Sequence, residues 1–260
     1  MPIPNESSSP SLRHLVGKLV VVVGGSSGMG FAVARSSLEQ GAKVIIASSN
    51  KAKVDAAVTR LIQANSAFKG SVSGLTVDAK DVPSLEKFWD EVGKFDHLVW
   101  TAGDSLGMPN FLTDDLTKKL NQPDVRMFGA AFSVQYAQKM DLFNPGASVT
   151  LTGGYVAHKP RKGWTMEVAG AGAIEALTRG LALEVAPVRV NSIGSGSVET
   201  EMWAAAGPQV VEYLKAAAIQ GSPLQHCGQP EEIAEAYLFM MKCPMMTGST
   251  VYVESGALLI

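Results

Sequence analysis

The residues best suited to chemistry sit near the start of the chain. Gly24, Gly28 and Gly30, with Gly25, Ser26, Ser27 and Met29 between them, follow five unbroken apolar residues, Leu19 to Val23. A helical pattern through Phe31, Ala32, Val33, Ala34 and Leu38 comes next. A continuous apolar run of that length reads as a strand buried on both faces. The chain therefore leaves a central strand, turns through glycines and enters a helix. A helix N-terminus offers unpaired N–H groups and the positive end of a dipole. Glycines let a pyrophosphate approach that backbone, because no Cβ stands in the way. The spacing is G-x-x-x-G-x-G rather than G-x-G-x-x-G. Taken alone, the same residues also make a generic glycine-rich turn.

The elements that must position this loop alternate along the chain. The patterns predict strands at Val44 to Ala47, Leu75 to Val77, His97 to Trp100, Ser148 to Thr152, Val188 to Ile193 and Thr250 to Val253. Between them they predict helices at Lys51 to Ile62, Val82 to Val92, about Leu116 to Met140, Val168 to Val185 and Glu231 to Met241, and a helical insertion at Trp203 to Ala218. Such alternation predicts an α/β fold, a doubly wound parallel sheet with helices on both faces. Ligands of such sheets bind at the carboxyl ends of the strands. Neither an internal repeat nor a second domain shows.

Composition narrows the function classes. The chain has 260 residues and a net charge of -2, which suits one domain with a substantial core. No charge run points to nucleic acid or a membrane surface. The cysteines, Cys227 and Cys243, form neither a metal nor a disulfide pattern, and no metal ligands are expected. No apolar run reaches spanning length and the start lacks a signal-peptide core, so a cytoplasmic setting is expected. Residues 1–15 read as a loose tail and 16–260 as the folded domain.

The residues resemble the short-chain dehydrogenase/reductase family from about Gly17 to Ala257. Gly24, Gly28 and Gly30 match the family's cofactor glycines, and Asp78 with Ala79 matches the acid beside the adenine. Thr101-Ala102-Gly103 resembles the end of N-N-A-G, with Trp100 and Thr101 in place of both asparagines. The run Ala173 to Glu184 reads like the long central helix. Arg189-Val190-Asn191, then Ser195-Gly196 and Thr200, resembles R-V-N…P-G…T, whose loop, including Val198, covers the nicotinamide. Gly228 to Ala234 and Thr247-Gly248 complete the signature. The resemblance implies a single-domain Rossmann-like fold and a nicotinamide cofactor. An acid at the end of the second strand would select NAD. That place is Ser48, followed by Ser49, Asn50 and Lys51, with Lys53 close by. Hydroxyls, an amide and lysines favour the phosphate of NADP(H). Serine and asparagine there also suit a helix cap.

The family's four catalytic places read differently here. With AIEALTRGLALE as anchor, the tyrosine place falls on Glu167, the lysine place on Ala171, the serine place on Gly154 and the asparagine place on Arg126. Carbonyl reduction forms an alkoxide that wants a proton, and losing a positioned acid costs about 10²- to 10⁴-fold. An iminium ion already carries its positive charge and accepts hydride without an acid. The chain is similar to fungal members that lack the catalytic residues, the malbrancheamide- and paraherquamide-type reductase/Diels–Alderases. The likeness shows at Thr101 to Asp104, Arg126, Leu151-Thr152, Gly154, Lys159-Pro160, Gly163-Trp164, Pro230 to Lys242 and Leu258 to Ile260. It implies NADPH-dependent iminium reduction, coupled in some members to a stereocontrolled [4+2] closure. One departure is Pro160-Arg161-Lys162-Gly163-Trp164, where those members carry an acid.

Four residues are candidates for the reacting end. Asp104 would orient a cation or take a proton, or cap a loop. Arg126 would pair with Asp104, grip a carbonyl oxygen, or make a structural ion pair. Glu167 would replace the missing acid, or serve as an ordinary helix-start carboxylate. Trp164 would stack on an aromatic or cationic substrate, or simply pack. Residues 202–221 are expected to form a helical lid with an apolar face of Trp203, Val210, Val211, Tyr213 and Leu214. By family analogy the expected partners are a small-molecule substrate and sister subunits of a homodimer or homotetramer, with no nucleic acid and no membrane. Beside the reductase stands a second reading, a non-redox cyclase or isomerase that keeps NADP(H) as part of its pocket.

Overall fold

The computed structural model describes residues 15–103, 110–116, 125–204 and 207–260. Among these residues, seven strands form one parallel sheet: β1 (Leu19–Val23), β2 (Lys43–Ser48), β3 (Val72–Thr76), β4 (Phe95–Trp100), β5 (Phe143–Gly154), β6 (Arg189–Ser195) and β7 (Thr250–Val253). Their order is β3-β2-β1-β4-β5-β6-β7. The chain reverses direction across the sheet between β1 and β4, which opens a crevice at their carboxyl ends. The helices are α1 (Gly28–Glu39), α2 (Lys51–Ala64), α3 (Val82–Val92), α4 (Phe128–Lys139), α5 (Thr165–Glu184), α6 (Glu201–Ala204), α7 (Pro208–Gln220) and α8 (Pro230–Lys242).

Strand β1 shows why an unbroken apolar run was required. Val20 and Val22 pack with α1, α2 and α8 on one face. Val21 and Val23 pack with α3, α4 and α5 on the other. Period-two side chains thus serve two separate cores, and no polar position is left over. All six residues of β4 are buried for the same reason. Among the described residues no helix is long and apolar enough to cross a membrane.

Several expected boundaries move. Leu15, assigned to the tail, is buried at 2% exposure in the core of α1 and β2. Strand β3 lies at Val72–Thr76 rather than Leu75 to Val77, because Gly74 breaks its apolar pattern where Val54 of α2 packs against the backbone. The long helix expected from Leu116 begins at Phe128, after a turn at 125–127, while 117–124 lie outside the described residues. Helix α5 starts at Thr165, not Val168, after Gly163 at φ 90°. The segment expected to form a lid holds two helices rather than one. Gly207 at φ 97° and Pro208 at the first turn of α7 end one and begin the other.

The inner face of β4 carries a buried titratable group. His97 Nδ1 lies 2.9 Å from Ser148 Oγ. Burial pushes its pKa down to about 4; Arg189 and Lys18 act the same way, and Asp96 opposes them. The unfolded chain therefore binds a proton first as pH falls. Stability is full above the ordinary value of 6.5 and declines as pH drops from there toward about 4. A shift of this size is worth about 3 kcal/mol. Urea unfolding of His97→Gln is expected to show a flatter pH dependence than wild type between about pH 7 and pH 4.5. Equal slopes would contradict a buried neutral imidazole.

Candidate active site

The ends of β1 and β4 are joined directly. Thr101 N and Ala102 N both donate to Val23 O, at 2.9 and 3.0 Å, and Thr101 Oγ1 donates to the same oxygen at 3.1 Å. This brings Thr101-Ala102-Gly103 against the glycine loop. At Gly24, with φ 92°, a Cβ would lie 2.5 Å from Ala102 N and 2.7 Å from Thr101 Oγ1. At Gly30 a Cβ would overlap both Gly24 O and Thr101 Oγ1. Only glycine fits either place.

The loop ends in the first turn of α1. Ser27 is the N-cap residue, and its side chain makes no capping bond. The Gly28 N–H instead donates to Glu201 Oε2 at 2.7 Å, across 173 residues of sequence. Thr200 packs beside Gly28, its Cγ2 placed 3.2 Å from where a Cβ would be. Glu201 Oε1 lies 3.7 Å from Arg60 Nη1, and the Arg60 guanidinium sits 3.5 Å over the Phe31 ring. A carboxylate thus occupies the N-terminus of α1 in the way a phosphate oxygen would. Glycine cradle, uncapped helix and stand-in anion together fit a dinucleotide pyrophosphate at Gly24 to Gly30.

Two loops close around this edge of the sheet. Val77 N donates to Ser48 O at 3.0 Å, tying β3 to β2. Asn50 Oδ1 accepts from Lys53 N at 3.0 Å, so the capping role expected of this stretch is realised. Lys51 pairs with Asp55 at 2.6 Å. Asp78 Oδ1 accepts from Lys80 N at 2.9 Å, which turns the chain past Ala79. After β6, Gly196 N donates to Val253 O at 2.8 Å, and a Cβ at Gly196 would lie 2.5 Å from Glu254 Cα. Val198 bridges to Gly228. Ser48 to Asn50, Asp78 with Ala79, and Gly196 to Thr200 thus follow the carboxyl ends of β2, β3 and β6, and Lys51 already has a carboxylate partner.

The reacting end lies between β4 and β5. Arg126 rests against the bare Cα of Gly103 and donates from Nη1 to Thr152 O at 3.2 Å. The oxygen it grips is one of the protein's own backbone carbonyls. Asp104, expected to pair with it, lies outside the described residues. Thr152 Oγ1 donates to Trp100 O at 2.7 Å and lies 2.7 Å from the Tyr237 hydroxyl. Burial pushes Tyr237 up to about 12, which keeps it a neutral phenol. Gly154 ends β5, Glu167 stands in the first turn of α5, and Ala171 is buried one turn on. Trp164 is the N-cap residue of α5. Its indole faces the Arg161 guanidinium at 5.7 Å from the ring centroid. In the segment expected to form a lid, Trp203 packs with Val211, Leu214, Ala218 and Cys227. Tyr213, assigned to its apolar face, is instead exposed.

Sequence reading missed Glu201, because nothing local marks a residue whose partner is 173 positions away. It also missed the pairing of Arg161 with the Tyr155 hydroxyl, although both residues lie in one short loop.

Comparison with known proteins agrees with this geometry. The family described as SDR-like Rossmann domain matches residues 12–260. The short-chain dehydrogenase/reductase ATR9 of Stachybotrys chlorohalonatus is 37% identical over 96% of this chain and 99% of its own. The short-chain dehydrogenase/reductase malC of Malbranchea aurantiaca is 33% identical over 98% of this chain and 99% of its own. A solved structure of MalC, described as a reductase/Diels–Alderase, superposes with a TM-score of 0.85 at 33% identity, covering 95% of this chain and 98% of that one. A small-chain dehydrogenase in complex with NADPH superposes with a TM-score of 0.77 at 27% identity, covering 94% and 100%. By its sheet, its glycine loop and its relatives, the chain belongs to the short-chain dehydrogenase/reductase family.

Proposed function

We propose that the protein is an NADP(H)-dependent reductase of natural-product biosynthesis that reduces an iminium or similarly activated bond. The observation that carries this reading is the make-up of the family's catalytic places: Gly154 at the end of β5, Glu167 and Ala171 on α5, and Arg126 tied to Thr152 O. None is a hydroxyl acid. A bond that already carries positive charge needs none, whereas a ketone does. The relatives among fungal short-chain enzymes support the setting.

NADP(H), when bound, supplies the hydride. The chain's own groups do the rest. The glycine loop and the α1 N-terminus hold the pyrophosphate, and Ser48 to Asn50 accept the ribose phosphate without a competing carboxylate. Arg126 keeps the ends of β4 and β5 in register beside the substrate. Lid helices α6 and α7 exclude water, so that electrostatic contacts inside are strengthened. Positioning of this kind also suits a ring closure. Likeness to MalC, a reductase/Diels–Alderase, favours that second reading, a cyclase that keeps its cofactor. The exposed apolar Phe128 on α4, Met140 just past its end and Leu183 on α5 support a homodimer or homotetramer.

The direct test is deuteride transfer from labelled NADPH to cyclic iminium compounds and matched ketones. Label is expected in the iminium products alone. Efficient ketone labelling would overturn the reading. No transfer at all, with turnover of a cyclisation substrate, would favour the cyclase.

Glu201 gives a second test. Its carboxylate competes with pyrophosphate for the Gly28 N–H, and both Glu201 and Arg60 are about half exposed, so the contact is cheap to break. Glu201→Gln removes the competing charge. NADP(H) is expected to bind the variant roughly two- to fivefold more tightly in a fluorescence titration. Weaker binding would mean that Glu201 helps to hold the cofactor.

A further inference from the structure

The loop from β5 to α5 holds a charge that neither the fold nor the cofactor site accounts for. Arg161 donates to the hydroxyl of the buried Tyr155, and its guanidinium lies 5.6 Å from the Tyr155 ring centroid and 5.7 Å from that of Trp164. A guanidinium has five N–H donors in a planar fork. The hydroxyl of Tyr155 and the neighbouring indole leave most of that fork unused. Among the described residues Arg161 has no carboxylate partner. The rings hold the cation in place, which lowers the entropy lost when it binds an oxyanion.

The surroundings say what reaches it. Arg161 lines a small cleft beneath the lid, between Tyr155, Ser197 after β6, Ala218 and Ser222 at the end of α7, and Glu254 after β7. Of the other charged groups there, His226 has a carboxylate partner, while Glu254 keeps its negative charge in the cleft. His226 is bound by Glu232 at 2.7 Å, and Glu254 accepts from Leu258 N at 3.4 Å. Neighbouring Lys159 is spent on Ala257 O and Ile260 O, at 2.6 and 2.5 Å. Tyr155 directly follows Gly154, and Trp164 caps the helix that carries Glu167, so Arg161 is tied to both segments that bear the candidate reacting end.

We infer that Arg161 is a substrate-binding residue that reads an anionic oxygen, a carboxylate or an ionised enol, on the part of the substrate lying under the lid. This rests on the proposed reductase site and adds the charge class of the substrate. The anionic end lies at Arg161 and the activated bond lies toward Gly154.

The test uses protein loaded with NADP+ and two probes, a dihydro-β-carbolinium carboxylate and its methyl ester. Binding is measured by calorimetry and reduction is measured separately with NADPH. The wild-type protein is expected to bind the carboxylate roughly ten- to a hundredfold more tightly than the ester, as a charge-assisted contact would give. Arg161→Gln should erase the difference, Arg161→Lys should keep part of it, and NADPH affinity should not change in either. Equal binding of both probes by the wild-type protein overturns the inference without any variant. So does a preference that survives in Arg161→Gln. Carboxylate-selective binding that is lost in Arg161→Gln, with no reduction of either probe, upholds the role of Arg161 and refutes the reductase reading alone.

Discussion

One oxygen anchors the functional edge of this molecule. Val23 O accepts from Thr101 N, Ala102 N and Thr101 Oγ1, which fastens the end of β4 to the end of β1. The contact exists only because Gly24 and Gly30 carry no Cβ, since either side chain would collide with Thr101. With the two strand ends pinned, the turn into α1 points its N–H groups over the crevice where the sheet changes direction. A backbone fixed this closely needs no induced movement to present an anion site. Helix α6 reaches over to that site through Glu201.

The reacting end is built on a different balance. A family member that reduces ketones sets a phenol against an ammonium group at the start of the helix after β5. By the resemblance those positions fall on Glu167 and the buried Ala171, with the cations Arg126 and Arg161 nearby in the same loops. Arg126 is spent on the strand end at Thr152, next to a phenol that burial keeps neutral. Arg161 keeps its donors. On the proposed reading the arrangement orients and desolvates, and no protein group need supply a proton. Such a site suits a substrate that brings its own activation.

Much of this was legible in the chain, for stated reasons. Leu19 to Val23 could only be a two-sided strand, and the two cores that meet its alternate valines confirm it. The glycine loop was legible because glycine is demanded by contact, not by preference. Helix limits were less so. Gly74 conceals β3 by removing the side chain that would continue its pattern, and Gly207-Pro208 splits a lid whose apolar periodicity runs on regardless. Contacts set by the tertiary fold left no local trace at all. The bond from Gly28 to Glu201 and the stack of Tyr155, Arg161 and Trp164 obey neither a helical nor a strand period.

The central claim is that hydride transfer here needs no protein acid. It is tested most directly by the pH dependence of single-turnover reduction of an N-alkylated iminium, whose own charge cannot titrate. The rate should be flat between about pH 6 and pH 9 and unchanged in Glu167→Gln. A rate that falls as pH rises in the wild-type protein, and loses that fall in Glu167→Gln, would contradict the account and make Glu167 the acid.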